Sequence, residues 1–507
     1  MSSGATIHET TIDSVVRRAA HADPDAPALI SNDRTLSYGE LAQHARGFAA
    51  WLRRQGLETG ETVSLWLPNG LAWAVAQVGV AQAGGTVVPV NTKLQTDEVR
   101  YIVEHSRSRV LVAPNDFLDR DYRTEANAIA DDLGCLVIGA AWNDPDLPHA
   151  PWSATPESRP DAPAVVQYTS GTTGVPKGCM LSHRSWTNNA RISAAIAGID
   201  AGTVVFTPSP FFHLFGSLTG LMGALSHGAC LATVPVVTPD SVAEQIARTE
   251  ASYMVAVPTV WLDLMRTLAP QDIPSLRSGF WGGAGFPESM LERAIFDFGW
   301  NLQAIYGMTE APTLTQVRPS DPTEYKLTTV GTPTPGVELR LLDGASMESA
   351  DGSGEIAARG YNRMLGYFED PAATADRIED GWIRTGDIGR LTETGHLIIE
   401  GRLTDMIITG GANVYAREVE SVLMKAPGVD LAAVVAAPDD RLGEVPVAFV
   451  QLAKGSAADQ ASLQEFCRLH LAAYKVPRAV HLIQSMPLTG SGKIEKVALQ
   501  HVAAMER

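Results

Sequence analysis

From Ser37 to Pro114 the chain alternates between two hydrophobic periods, and this alternation restricts the fold more than any other feature. SYGE, at Ser37–Glu40, is a capping box that opens a helix through Arg53. VSLWLPN reads as a strand and the segment after Asn69 as a helix. TVVPVN, TDEVRYIVEHS and RVLVAP follow as strand, helix and strand. Strands separated by helices pair in parallel rather than through tight turns, and a parallel sheet is covered on both faces. The expected class is α/β, with mostly parallel sheets covered by helices in a large N-terminal domain.

The pattern resumes after DPDLPHAPWSATPESRPDAP, a Pro-rich polar stretch read as an exposed connection. Near residue 400 the order changes. HLIIEG and MIITGG read as a short hairpin around RLTD, and NVYAREVESVLMKAPG as a helix ending at Gly428. LAAVVAAPD and VPVAFVQL read as strands, ASLQEFCRLHLAAY as a helix and AVHLIQSMP as a strand. That is a small α+β unit of about a hundred residues. The expected division is residues 1–402 and 403–507.

The length, 507 residues, suffices for two or more domains. A formal net charge of −18 argues against nucleic acid and anionic membranes as partners. The cysteines (Cys135, Cys179, Cys230, Cys467) are scattered without a CxxC pair, so neither a zinc site nor a disulfide framework is expected. The start lacks the apolar core of a signal peptide. The most apolar long stretch, LAWAVAQVGVAQAGGTVVPV, is interrupted by Gln77, Gln82, Gly84, Gly85 and Pro89, which fits a packed helix and strand rather than a membrane span. A cytoplasmic protein is expected, monomer or homodimer.

YTSGTTGVPKG (Tyr168–Gly178) leaves the apolar run AVVQ and places Gly171, Gly174 and Gly178 among hydroxyls, with Lys177 as the charge. A Gly/Thr loop after a strand can present several backbone N–H groups to one anion, and its glycines permit close approach. It is not the common nucleotide P-loop, because Pro176 precedes the lysine and Gly178 follows it. Downstream lie FWGGAGFPE (Phe280–Glu288), IYGMTE (Ile305–Glu310), GWIRTGD ending at Asp387, GRLTDMIITGGANVYAREVE from Gly401, and PLTGSGKIEK around Lys493.

In order and spacing this set resembles the acyl-adenylate-forming superfamily: acyl-CoA synthetases similar to 4-coumarate–CoA ligase, adenylation domains and luciferases. The resemblance covers nearly the whole chain. It implies a large α/β domain and a small mobile α+β C-terminal lid. It also implies a two-step reaction, in which a carboxylic acid attacks the α-phosphate of ATP and the acyl group then passes to a second nucleophile. Like charges must meet in the first step, so preorganised cations and donors are the expected devices.

The resemblance further implies roles. Thr169, Ser170, Gly171, Thr172, Thr173 and Gly174 would hold the β- and γ-phosphates, with Lys177 adding charge. Glu310, with Thr172, would hold Mg²⁺, and Thr309 would contact the α-phosphate. Tyr306 would stack on adenine, with Gly283, Ala284, Gly285 and Gly307 lining that pocket. Asp387 would accept from the ribose hydroxyls beside Arg402. Lys493 would bridge the substrate carboxylate and the α-phosphate. His213, in PSPFFHLFG, would gate or line the acyl site. The lid would pivot at Thr404, where relatives usually carry Asp or Lys, bringing Gly410 and Gly411 to the site. Relatives that activate α-amino acids place an Asp in the region of Phe211, Phe212 and His213. Without one, a free α-amino acid is disfavoured and an aromatic or medium-chain acid is expected. Trp261, Phe212 and Phe215 are candidates for the pocket or for the core. Coenzyme A is the expected acceptor; an amine or a carrier protein are alternatives, and a non-catalytic nucleotide-binding regulator is an alternative of another class.

Overall fold

The computed structural model describes residues 6–139, 158–169, 176–342, 352–409, 412–439, 441–488 and 494–505. Strands such as Thr62–Leu65, Thr86–Pro89 and Val110–Ala113 are buried at every position. Runs of that kind belong in the middle of a parallel sheet, and there they lie. Together with Leu136–Gly139 and Pro163–Thr169 they form the parallel part of a seven-stranded sheet. Lys177–Ser182 and Gly366–Tyr367 extend it antiparallel. A nine-stranded sheet runs parallel from Asn301–Met308 to Pro27–Ser31 and is antiparallel at both edges.

The helix Tyr38–Arg54 carries the capping box expected at Ser37–Glu40. The helix Leu71–Gln82 is buried along almost its whole length. The two meet where Gly79 stands: a Cβ there would lie 2.8 Å from the Ala45 carbonyl oxygen. No helix among the described residues is long and apolar enough to cross a membrane.

A third sheet is wholly antiparallel. It contains Val337–Leu342, Gly354–Gly360, Trp382–Leu391 and Ile378–Glu379, with Leu397–Arg402 alongside Trp382–Leu391. The C-terminal sheet joins Ala412–Tyr415, Met406–Thr409, Gly443–Leu452 and Val429–Asp439, with Ala479–Ile483 parallel to Gly443–Leu452. The helices Ala416–Leu423, Gln460–His470 and Lys496–Met505 accompany it. The molecule is thus α/β, with a large N-terminal domain and a C-terminal domain.

Two expectations near residue 400 are corrected. HLIIEG and MIITGG do not pair with one another. Leu397–Arg402 pairs with Trp382–Leu391, placing Arg402 opposite Asp387, while Met406–Thr409 pairs with Ala412–Tyr415. RLTD is therefore a passage between sheets. The helix read into NVYAREVESVLMKAPG is shorter, Ala416–Leu423, because Ala412–Tyr415 is a strand that turns Val414 into the C-terminal core.

Among the described residues no hydrophobic cluster spans the two sides of this passage. Three are built from residues up to Ile399, and two from Ile407 onward.

The chain's start is fixed by His183, which is 1% exposed and accepts from the Ile12 backbone N–H at 3.3 Å. Burial lowers its imidazole from the ordinary 6.5 to about 4. The unfolded chain therefore takes a proton first as pH falls. The contribution is intact above about pH 6.5 and is lost progressively toward about pH 4, on the order of 3 kcal/mol in all. Urea unfolding should show about 2 kcal/mol less stability at about pH 5 than at pH 7.5 from this group, a difference absent in His183→Gln. An unchanged slope in the variant would exclude His183 as its source.

Candidate functional site

The strand Pro163–Thr169 and the strand Lys177–Ser182 carry the two ends of the Gly/Thr loop, with Thr169 paired to Lys177. Ser170, Gly171, Thr172, Thr173 and Gly174 lie outside the described residues, as do Gly410, Gly411 and Lys493. One helix, Thr96–His105, holds both ends: the Tyr101 hydroxyl donates to the Pro176 carbonyl at 3.1 Å, and His105 Nδ1 lies 2.7 Å from the Tyr168 hydroxyl. The Lys177 ammonium pairs with Asp370 at 3.4 Å and sits 5.5 Å from the centre of the Tyr367 ring.

Tyr367 links this cation to the acid expected to bind metal. Its hydroxyl donates to Glu310 Oε1 at 2.7 Å. Burial first, and then the Glu310 charge, push the phenol above its ordinary range, so it remains a donor. Tyr367 was not read from the sequence. Gly366 before it stands at φ +154°, and a Cβ there would lie 2.9 Å from the Thr374 side chain. Glu310 itself is 8% exposed. No group of three or more His, Cys, Asp or Glu arranged for a metal exists among the described residues. Mg²⁺ commonly takes one or two carboxylates and completes its coordination with phosphate and water, so a single buried carboxylate such as Glu310 fits that ion.

Tyr306 and Asp387 meet although they are 81 residues apart: the phenol donates to Asp387 Oδ2 at 2.8 Å. Arg402 Nε donates to Asp387 Oδ1 at 2.9 Å. A carboxylate has about four lone-pair positions, so two remain for a ligand. Arg417, on the helix Ala416–Leu423, was also missed. Burial lowers its pKa, while Glu420, Asp387 and Tyr306 attract its charge.

Between these groups lies a cavity of about 120 Å³. Gly283, Gly307, Thr309 and His213 line it, as do Phe215, Leu218, Thr219 and Met308. None of its lining residues is Asp, Glu, Lys or Arg. Ala284 and Gly285, next to Gly283, are exposed. Phe215 is therefore a pocket residue. Phe212 is 5% exposed and belongs to the core, as does Trp261, whose indole N–H donates to the Ala256 and Phe280 carbonyls.

The walls are fixed from a distance. Asn69 donates to the Ser209 carbonyl and accepts from the Phe211 N–H, and Gln167 donates to the Phe212 carbonyl. Asn189 and Asn362 both donate to the Pro312 carbonyl at 2.6 Å. Gly307 is required, because a Cβ there would lie 2.5 Å from the Thr313 nitrogen. Thr313 adopts φ +41°, a costly conformation for a β-branched residue and one that is concentrated at ligand sites. One wall is a π-helix, Phe215–Met222, which is uncommon in length and type. It can approach because Gly216 has no Cβ; one there would lie 2.3 Å from the Pro210 carbonyl oxygen.

The model of the AMP-binding enzyme family matches residues 16–368, and that of the AMP-binding enzyme C-terminal domain matches residues 418–493. A 3-[(3aS,4S,7aS)-7a-methyl-1,5-dioxo-octahydro-1H-inden-4-yl]propanoyl:CoA ligase of Rhodococcus jostii (strain RHA1) is 33% identical over 521 residues, covering 98% of this chain and 99% of that protein. The mitochondrial medium-chain acyl-CoA ligase ACSF2 of Macaca fascicularis is 30% identical over 541 residues, covering 98% and 87%. Among solved structures, the anthranilate CoA ligase AuaEII in complex with anthranoyl-AMP matches with a TM-score of 0.90 at 25% identity, over 99% of this chain and 98% of that one. The protein belongs to the acyl-adenylate-forming superfamily of AMP-binding enzymes and is an AMP-forming acyl-CoA ligase.

Proposed function

We propose that the enzyme activates a carboxylic acid that carries no second charged group, aromatic or medium-chain, and passes its acyl group to coenzyme A. The observation that carries this reading is the cavity of about 120 Å³ with no charged side chain in its lining, opening beside Thr309. A second carboxylate or an ammonium on the substrate would be desolvated there without a partner, at a cost of several kcal/mol.

In the first step an acid oxygen attacks the α-phosphorus of ATP, the new acyl–phosphate bond forms, and pyrophosphate leaves. We assign Thr169, Ser170–Gly174 and Lys177 to the β- and γ-phosphates and Thr309 to the α-phosphate. Tyr306 would face adenine, Asp387 the ribose with Arg402 beside it, and Lys493 the meeting point of carboxylate and phosphate. Glu310 and Thr172 would hold Mg²⁺, which supplies charge neutralisation to the phosphates. His213 would stand at the acyl pocket. The second step breaks the acyl–phosphate bond, forms a thioester and releases AMP.

The pivot at Thr404, and with it the division into residues 1–402 and 403–507, is supported by two side chains. Arg402 is tied back to Asp387, while Asp405 is tied forward to Lys496 at 3.2 Å. Lys496 also pairs with Glu420 at 2.8 Å. Leu403 and Thr404 alone lie between these anchors.

A panel of acids with ATP, scored for AMP with and without coenzyme A, tests the whole reading. Benzoate- and hexanoate-sized acids should release AMP only slowly until coenzyme A is added; release with dicarboxylates alone would overturn the substrate class. Lys493→Ala should slow carboxylate-dependent pyrophosphate release by about 10²–10³-fold with an unchanged circular dichroism spectrum, whereas a normal rate would remove Lys493 from the chemistry. Tyr367→Phe should raise the Mg²⁺ needed for half-maximal pyrophosphate exchange roughly tenfold, because Glu310 loses the donor that orients it. Leu218→Ala should shift kcat/KM toward bulkier acids by about tenfold. An unaltered preference would place the acyl group elsewhere.

A further inference from the structure

The two units share no hydrophobic cluster among the described residues, so their relative position depends on polar contacts. Interfaces of that kind permit motion unless something specific opposes it. Among the described residues two ion pairs cross between them. Arg266, at the end of the helix Pro258–Thr267, meets Asp430 at the start of the strand Val429–Asp439. Glu288, at the start of the helix Glu288–Phe296, meets Lys425 at 2.8 Å. Lys425 lies on the connection after the helix Ala416–Leu423, and Asp430 is the second residue of the strand that follows it.

We propose that Arg266–Asp430 and Glu288–Lys425 form a two-point latch that positions the C-terminal domain for the acid-activating half-reaction and opens before thiol transfer. These four are positioning residues, and the inference rests on the two-step reading above. The polarity makes the latch selective. The large domain offers a cation at one point and an anion at the other, and the small domain offers the reverse. A displaced register sets Arg266 against Lys425 or Glu288 against Asp430, which repel.

The two points differ in strength. The Asp430 side chain is 18% exposed and also accepts from Gln451 Nε2 at 3.0 Å. Arg266 is further shared with Asp263 at 3.3 Å on its own helix, so it keeps a partner when Asp430 departs. Lys425 and Glu288 are 58% and 40% exposed, so that pair is the weaker one and is screened by salt. Contacts of such modest strength suit a domain that must both dock and leave, since a few-fold change in population is enough to shift the balance between two states.

The test reads the two half-reactions separately. Asp430→Asn should slow carboxylate-dependent pyrophosphate exchange about fivefold and leave thioester formation from supplied acyl-adenylate unchanged or faster. Glu288→Lys should act in the same direction, and Glu288→Lys with Lys425→Glu should restore exchange. Equal losses in both half-reactions, or a reversed pair that fails to rescue, would overturn the latch. A second readout needs no acid and so separates this inference from the proposed function. Spin labels at Phe296 and Leu469, both exposed, in a Cys135→Ser background, should give one narrow distance at low salt. The distribution should broaden at about 0.5 M salt, and in Asp430→Asn with Glu288→Lys at any salt. Identical distributions in all samples would exclude a role for these pairs.

Discussion

Asp387 receives the Tyr306 phenol on one oxygen and the Arg402 guanidinium on the other, at 2.8 and 2.9 Å, with its own side chain 8% exposed. Tyr306 comes from the nine-stranded sheet, Asp387 from the antiparallel sheet, and Arg402 from the last strand before the chain crosses to the C-terminal domain. The carboxylate thus joins two sheets. Its direct cross-strand pairing with Arg402 makes the ion pair a product of register, since a one-residue slip would send Arg402 to the opposite face. Leaving the buried phenol or the carboxylate unmatched costs on the order of 1–3 kcal/mol, so the arrangement discriminates sharply against such a slip.

The candidate site residues stood out in the sequence because they cluster in short stretches of unusual composition. Thr169 and Lys177 flank a glycine- and hydroxyl-rich loop, and Thr309 and Glu310 follow a strand directly. What sequence could not reveal was partnership. Leu397–Arg402 and Met406–Thr409 both read as strands and both are strands, but period alone does not say that they belong to different sheets. The antiparallel third sheet went unread for the same reason. Tyr367 sits on a two-residue strand with no period to detect, so its bond to Glu310, 57 residues distant, had no local trace.

The amides behind the pocket teach the same lesson in another form. Asn189 and Asn362 reach Pro312 across 123 and 50 residues, and Asn69 reaches Ser209 across 140. Each is a buried polar residue that a reader of patterns assigns to a helix, a strand end or a loop. Their shared effect is to pin carbonyl groups that line or adjoin the cavity beside Thr309. A wall held in this way can keep Thr313 at positive φ and a π-helix in place, conformations that an unsupported chain would relax.

The separate cores on the two sides of Leu403–Thr404 also bear on how such a protein diverges. Substitutions in the C-terminal core, around Val414, Val419 and Val434, repack against neighbours that all come from the same side of the joint. The large domain registers none of these changes in its interior, and it senses its smaller neighbour through a few surface charges. Lineages could therefore retune the smaller half while inheriting the interior of the larger one intact, with charged side chains such as Arg266, Glu288, Lys425 and Asp430 contributing to compatibility.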